Sequence, residues 1–375
     1  MNIFALISLL ILALYVFKIQ KYRLSWERYP ELKPSASKGT TKISVIIAFR
    51  NEISNLPALL TSLNKQAYPK GLYEVILVND HSNDGSEILA HSFCEEHGNF
   101  QLLHLGSEAT GKKSAITKGI KNASFELIVT SDADCTMNAY WLATIDHMFQ
   151  EKNPDMMVGL VDIISNNSFF GKFQEVEFLS LVAAGAGAVA GQNPIYCNGA
   201  CLAYKKSLFI HYTDPMKQTV VSGDDTLFML TVKRDLKNSI VLLKAVPAIV
   251  VTKGVATWRE FMQQRKRWVS KSRYYRDVNT LYTALLVCFV NVSVLYSLTM
   301  LVIGRNFWLL PLIYGGKMLT DLFFLRRFFH FYKKKLPSLR FMLYELIYPF
   351  YTVFFTIAGV SSGFRWKGRR FGPAE

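Results

Sequence analysis

Apolar residues are spread unevenly along the chain, crowding towards its two ends. Residues 3–17 are apolar apart from Ser8, and Lys18, Lys21, Arg23 and Arg28 come directly after. A cleaved secretory leader carries its basic residues before the apolar run and small residues at a cleavage site after it. The reversed order here predicts an uncleaved membrane anchor over 1–20, short for a bilayer core of about 30 Å but lengthened by snorkelling of Lys18 and Lys21. Its basic end and the chain downstream are then expected in the cytoplasm. A buried core helix is the competing reading of so short a run. Three further apolar segments, 281–303, 307–325 and 341–360, predict a membrane region over 280–362. Lys317 and Asp321 interrupt the second segment one helical turn apart, where they can neutralise each other. The third carries Glu345 and Pro349. Between them Arg326, Arg327, Lys333, Lys334, Lys335 and Arg340 occur without an acid, which is expected of a cytoplasmic loop. A count of crossings sends the basic tail 363–375 to the opposite side, against the same rule. A last segment that bends back near Pro349 keeps that tail cytosolic.

The middle has a different rhythm. Short apolar runs at 43–49, 74–79, 100–104, 126–130 and 156–161, most of them rich in Val and Ile, are separated by helical patterns. This βαβ alternation predicts an α/β domain over 42–256, Rossmann-like, with a mainly parallel sheet. Residues 21–41, with a Ser-, Gly- and Thr-rich stretch at 33–41, link it to the anchor. In such a sheet ligands sit beyond the carboxyl ends of the strands. Arg50-Asn51-Glu52 follows the first strand, Asp80-His81-Ser82-Asn83-Asp84-Gly85 the second, and Ser131-Asp132-Ala133-Asp134 the fourth. Three strand ends therefore bring five acids to one rim.

Composition narrows the class. Half of the 375 residues are hydrophobic, which excludes a disordered chain, and five cysteines exclude a small disulfide scaffold. Lys and Arg exceed Asp and Glu by 43 to 28, a net +15 that suits nucleic acid, an anionic membrane face or a phosphate-bearing substrate. The stretch 257–279 favours the membrane. Trp258, Phe261, Met262, Trp268 and Val269 recur there at helical spacing while most basic residues, Arg265 and Arg267 among them, fall on other positions. This predicts an amphipathic helix lying on the membrane surface, and no nucleic-acid motif accompanies it.

The acids each have a bland and a chemical reading. Asp132 and Asp134 suit either a capped turn or a hard divalent cation shared with a diphosphate. The run from Asp80 resembles the start of a calcium loop, but its twelfth position is His91 and a strand precedes it, so a nucleoside-binding loop fits better. Asp224-Asp225 suits either a helix N-terminus or a general base facing a hydroxyl. Cys197 and Cys201 lack zinc spacing, and His81, His91, His97 and His104 form no ligand pattern. Gly185, Gly187 and Gly191 read as a closely packed helix.

Taken in order, these pieces resemble the family 2 glycosyltransferases of GT-A fold, especially the membrane-embedded branch of ceramide glucosyltransferase-like enzymes and polysaccharide synthases. Ser44–Glu52 looks like that family's first strand. Val78–Ser86 is similar to its nucleoside loop, with Asn79 and His81 departing from the commonest residues, and Gly111-Lys112-Lys113 matches a basic element after that loop. Ser131-Asp132-Ala133-Asp134 falls at the metal-binding acids and Asp224-Asp225 at the pair whose second member is the base. Gln264-Arg265-Lys266-Arg267-Trp268 fits a Q-x-x-R-W signature, and Trp366-Lys367-Gly368-Arg369 a tail of the ceramide glucosyltransferase-like branch. The resemblance spans about 42–275. It implies inverting, metal-dependent transfer from a nucleotide-sugar, UDP-sugars being the leading class, to a membrane lipid or lipid-linked acceptor. By the same resemblance Glu52, Asp80, Lys112, Asp132 and Arg267 hold the donor, Asp134 brings Mg²⁺ or Mn²⁺, Asp225 is the base, and Gln264 and Trp268 line the acceptor side. It implies an integral protein of the cell or inner membrane with a cytoplasmic catalytic domain. A processive polysaccharide synthase, or a catalytically idle nucleotide-binding scaffold, are the alternatives.

Overall fold

The computed structural model describes residues 3–33, 39–215, 224–361, 363–366 and 369–371. Its elements run α1 (Ile3–Arg28), β1 (Ile43–Phe49), α2 (Leu56–Asn64), β2 (Tyr73–Asn79), α3 (Ser86–Glu96), β3 (Phe100–His104), α4 (Lys112–Asn122) and β4 (Leu127–Asp132). Then come β5 (Thr136–Met137), α5 (Trp141–Lys152), β6 (Met156–Val158), β7 (Val161–Ile164), α6 (Phe169–Ala190), β8 (Leu202–Lys205), α7 (Lys206–His211), α8 (Asp224–Asp235), β9 (Ile240–Leu242) and β10 (Val250–Lys253). The chain ends with α9 (Trp258–Ser270), α10 (Val278–Val302), α11 (Leu309–Phe331), α12 (Ser338–Ser361), β11 (Phe364–Trp366) and β12 (Arg369–Phe371). These group into two units: Tyr29–Ile164 with Tyr196–Lys253, and Met1–Arg28 with Ser165–Ile195 and Gly254–Glu375. Ser165–Ile195, which the strand rhythm places inside a 42–256 domain, thus groups with the apolar helices.

The first unit holds a seven-stranded sheet in the order β3-β2-β1-β4-β8-β6-β9. β1, β2, β3 and β4 are mutually parallel neighbours, β8 is antiparallel to both β4 and β6, and β9 is parallel to β6. Ile43, Val45, Ile46 and Ile47 have no exposed surface. A strand covered on both faces reads as an unbroken apolar run, which is why β1 is visible in the sequence. α4 lies so close to β1 that a Cβ on Gly119 would stand 2.5 Å from Ile46 Cγ2. The register sets Phe49 opposite Asn79 and Ala48 opposite Asp132. The carboxyl ends of β1, β2 and β4 are therefore level. The 156–161 run divides at Gly159, where the chain passes Cys201 too closely for any side chain, into β6 and β7. β7 joins β10 and β5 in a second, three-stranded sheet.

The second unit is helical. Among the described residues four helices are long and apolar enough to cross a membrane: α1, α6, α10 and the Leu339–Ala358 part of α12. The set differs from the expectation at two places. α11, predicted as an apolar segment over 307–325, continues to Phe331 and also carries Arg326 and Arg327, and it is not one of the four. α6 is one of them, yet 78% of its apolar window is buried, against 28–33% in the other three. Its glycines form a packing seam: a Cβ on Gly187 would lie 2.8 Å from Tyr22 Cβ of α1. Lys317 neutralises Asp321 as expected, its Nζ donating to Asp321 Oδ2 (2.8 Å), and also donates to Glu345 Oε2 of α12 (2.5 Å). Tyr15 of α1 donates to the other oxygen of Asp321 (2.6 Å). Lys18 does not snorkel. It is buried, and its Nζ donates to Asn279 Oδ1 of α10 (2.6 Å) because that amide offers a partner within the helices.

Candidate active site

The loops after β1 and β2 brace each other. Ser82 N donates to Asn79 Oδ1 (3.0 Å), Asn51 N to Ser82 Oγ (3.0 Å), and Asn83 N to Asn51 Oδ1 (2.9 Å). Asn51 and His81 adopt left-handed backbone, with φ of 52° and 55°, a region that Asn and His enter more readily than most side chains. Asp84 is a brace as well. Burial opposes its ionisation, but hydrogen bonds from the Ser86 hydroxyl and the Ile53 and Ser86 amides hold its carboxyl below the usual carboxylate range. Asp80, 2% exposed, looks the other way: its Oδ2 accepts from Gly111 N (3.1 Å), while Arg50 Nη1 donates to its carbonyl (2.9 Å). Lys112, next in sequence, reaches Asp132 Oδ1 at the end of β4 (2.5 Å). Asp80, Lys112 and Asp132 are thus joined across the carboxyl ends of β2 and β4.

Asp134 lies two residues further. Burial first, then the charges of Asp132 and Glu52, push its carboxyl above the ordinary carboxylate range, with the Cys135 thiol and Lys112 partly opposing them. Glu52 is 9% exposed and accepts from Asn55 Nδ2 (2.7 Å). Among the described residues no three His, Cys, Asp or Glu side chains converge to hold an ion by themselves. The donor set nonetheless fits Mg²⁺ or Mn²⁺: Asp134 is crowded by the carboxylates of Asp132 and Glu52, a repulsion that a hard cation relieves, and such a cation commonly completes its shell with waters and substrate phosphates.

Asp225 stands in the first turn of α8. Its Oδ2 accepts from Gly199 N (2.8 Å) and its Oδ1 from Thr226 N (2.7 Å). Gly199 opens a 3₁₀ turn, Gly199–Cys201, that is tied to β4: Thr130 Oγ1 donates to the Gly199 carbonyl (3.1 Å) and Ser131 Oγ to the Ala200 carbonyl (2.7 Å). A Cβ on residue 199 would stand 3.2 Å from Asp225 Cβ. One carboxylate oxygen is thus engaged by a turn outside its own helix, beyond what capping requires. Ser222 and Gly223, which precede Asp224, lie outside the described residues.

Gln264, Arg267 and Trp268 belong to the helical unit, on α9. Thr257 and Glu260 close a capping box at its start. Arg265 departs from the expected amphipathic pattern. It is 1% exposed and gripped by both carboxylate oxygens of Glu177 on α6, with Phe261 and Trp268 rings each 4.2 Å from its guanidinium carbon. Pairing and stacking make burial of this cation tolerable. Gln264 Oε1 accepts from Arg265 as well. Sequence reasoning assigns no role to Arg50, Thr130, Ser131 or Gly199. The Asn198-Gly199 pair is a turn signal, masked by the cysteines on either side of it.

Residues 44–213 match the family model described as Glycosyl transferase family 2. The chain carries a family 2 glycosyltransferase domain. That glycosyltransferase domain is 34% identical over 100 residues to glycosyltransferase AglE of Haloferax volcanii, covering 27% of this chain and 33% of that protein. It is 26% identical over 173 residues to poly-β-1,6-N-acetyl-D-glucosamine synthase of Staphylococcus aureus, covering 45% and 40% respectively. The match therefore spans a third to two-fifths of these relatives' lengths. Among solved structures, the mannosyltransferase PcManGT from Pyrobaculum calidifontis, in complex with GDP-Man and Mn²⁺, aligns over 93% of this chain and 99% of its own with a TM-score of 0.53 at 16% identity. That likeness concerns the fold. It agrees with the mainly parallel α/β sheet, flanked by apolar helices at both ends of the chain.

Proposed function

We propose that the chain is an inverting glycosyltransferase, using a nucleotide-sugar and a divalent cation to glycosylate a membrane lipid or lipid-linked acceptor. The observation that carries this reading is the hydrogen-bonded link from Asp80 through Gly111 and Lys112 to Asp132, beside Asp134, with Asp225 tied by the Gly199 turn to the same strand. Asp80 and Glu52 would hold the nucleoside, and Lys112, steered by Asp132, the diphosphate. Asp134, with Asp132 near it, would hold Mg²⁺ or Mn²⁺, whose Lewis acidity offsets charge on the departing diphosphate. Asp225 takes the proton of the acceptor hydroxyl as its oxygen bonds to the anomeric carbon; the bond from that carbon to the diphosphate breaks on the opposite face. A single carboxylate base suffices, since the leaving group needs no protonation. Arg267 is assigned to the donor phosphates, and Gln264 and Trp268 to the acceptor. The apolar helices support membrane integration, and the basic residues that follow the first of them favour the cell or inner membrane with the glycosyltransferase domain on the cytoplasmic face. The synthase among the relatives supports a second reading, processive addition.

Asp225→Asn should lower acceptor-dependent nucleotide release by about 10²–10⁴-fold, the usual worth of a general base, with donor affinity kept within a factor of a few. Release would be measured from a panel of sugar nucleotides with Mn²⁺ and membrane lipid, and the product then weighed by mass spectrometry. One added hexose indicates single transfer and a ladder indicates a synthase. Normal turnover by the Asn variant would remove Asp225 from the mechanism, and nucleotide binding without turnover in the wild type would leave only a scaffold.

A further inference from the structure

The basic stretch 326–340, between the apolar segments 307–325 and 341–360, has no part in the chemistry above, yet it is not a smooth charged surface. In the helical unit it forms a groove of about 780 Å³ between the end of α1 and the end of α11. Arg23 enters from α1, Arg326, Arg327 and His330 from the last turns of α11, and Lys335 from the segment beyond. Phe323, one turn before Arg327 and 54% exposed, lines the same groove. Trp26 of α1 packs on Phe328 and Phe331 with ring centroids 4.7 and 5.1 Å apart, so the two helices end side by side.

The local charges do not balance. Glu27 accepts from Arg23 (3.2 Å) and lies 3.4 Å from Arg327. Among the described residues Arg326, His330 and Lys335 have no acidic partner. Basic residues at a helix end are expected from the helix dipole and from the cytoplasmic bias of Lys and Arg. Neither effect calls for a concave site, for a cation supplied by a second helix, or for an exposed ring beside the cations. A phosphate with an alkyl tail calls for all three: planar guanidinium forks for its oxygens, diffuse positive charge around it, and apolar surface for the chain.

We propose that this groove binds the phosphate headgroup of an anionic membrane lipid, with the first part of an acyl chain along Phe323. The site rests on membrane association and not on the role of Asp225.

The test uses full-length protein purified in detergent, with lipid binding read by native mass spectrometry and thermal stability. Phosphatidylglycerol is expected to stay bound and to raise the melting temperature, whereas phosphatidylcholine and inorganic phosphate at equal concentration are not. Arg326→Gln with Lys335→Gln should weaken phosphatidylglycerol binding at least tenfold while nucleotide release in detergent is retained. A control that removes the same charge elsewhere, Lys121→Gln with Lys333→Gln, should bind as the wild type does. Equal loss in the control would mean diffuse surface charge and would overturn the site. So would wild-type protein that does not prefer phosphatidylglycerol to phosphatidylcholine. Inorganic phosphate competing as well as the lipid would overturn the lipid assignment.

Discussion

Asp134 is held in a place that its own charge opposes. Burial and the neighbouring Asp132 and Glu52 carboxylates raise its folded pKa, so without a cation the fold is favoured by protonation of this group. The contribution has a definite sign: the cation-free fold is stabilised as pH falls through the raised value and loses that stabilisation as pH rises through it. Asp134→Asn removes the charge while keeping the shape. In EDTA at pH 7.5 the variant should melt above the wild type, and the gap should narrow towards pH 4. Each kcal/mol gained would appear as about 2–4 °C for a unit of this size. Mn²⁺ should then raise the wild-type melting temperature and leave the variant unmoved, with transfer lost. A variant that melts below the wild type in EDTA would show that the carboxylate is a structural acceptor and not a cation ligand. Asp225 is the contrasting case. Backbone amides meet both its oxygens, and any side chain at position 199 would crowd it.

Elements are legible where burial writes itself into local sequence. β1, β2 and β4 are nearly unbroken Val- and Ile-rich runs because both faces are covered, and the acids just after them mark the sheet's carboxyl edge, whereas the edge strand β3 is only partly covered and has neither residue. β5, β8 and β9, two to four residues long, carry too little periodicity to announce themselves. The strand rhythm misplaces α6 because its small residues answer Tyr22 and Ser25 on α1, more than 150 positions away. Arg265 is misread for the same reason: helical arithmetic counts it as polar, and its partner Glu177 lies 88 residues back. Removing one member of such a buried pair costs about 3–5 kcal/mol, whereas replacing both by apolar groups is often nearly neutral. Arg265→Met should therefore sharply lower thermal stability, and Arg265→Met with Glu177→Leu should recover most of it. Arg265→Lys keeps the charge but loses the fork and the stacking, and is expected to fall between the two. Thermal melts of the purified variants decide this, and a single Met variant as stable as the wild type would mean that α9 is held without the pair.

For the whole molecule, the side on which the chain ends depends on what α12 touches. Its length and composition allow a crossing, and a crossing from the basic loop would leave the tail on the far side. Within the helical unit, however, Tyr351 and Phe355 in the second half of α12 pack on Phe261 of α9, with ring centroids 6.0 and 6.4 Å away. Tyr351 also donates to Glu177, the same carboxylate that grips Arg265 (2.7 Å). Beyond the helix, β11 runs alongside α9 and pairs antiparallel with β12. With α9 lying on the membrane surface, as its basic amphipathic sequence predicts, a chain packed against it ends on that surface too. Pro349 lies between the two parts of α12 and removes one backbone hydrogen bond where a bend would fall. An epitope appended after Glu375 should accordingly be digested by protease in inverted membrane vesicles and protected in right-side-out ones, in step with an epitope inserted beside Lys121 in the glycosyltransferase domain. Protection of the terminal epitope in inverted vesicles, with the internal one digested, would mean that α12 crosses completely. The contacts of α9 with α12 and β11 would then have to form without α9 lying on the cytoplasmic surface.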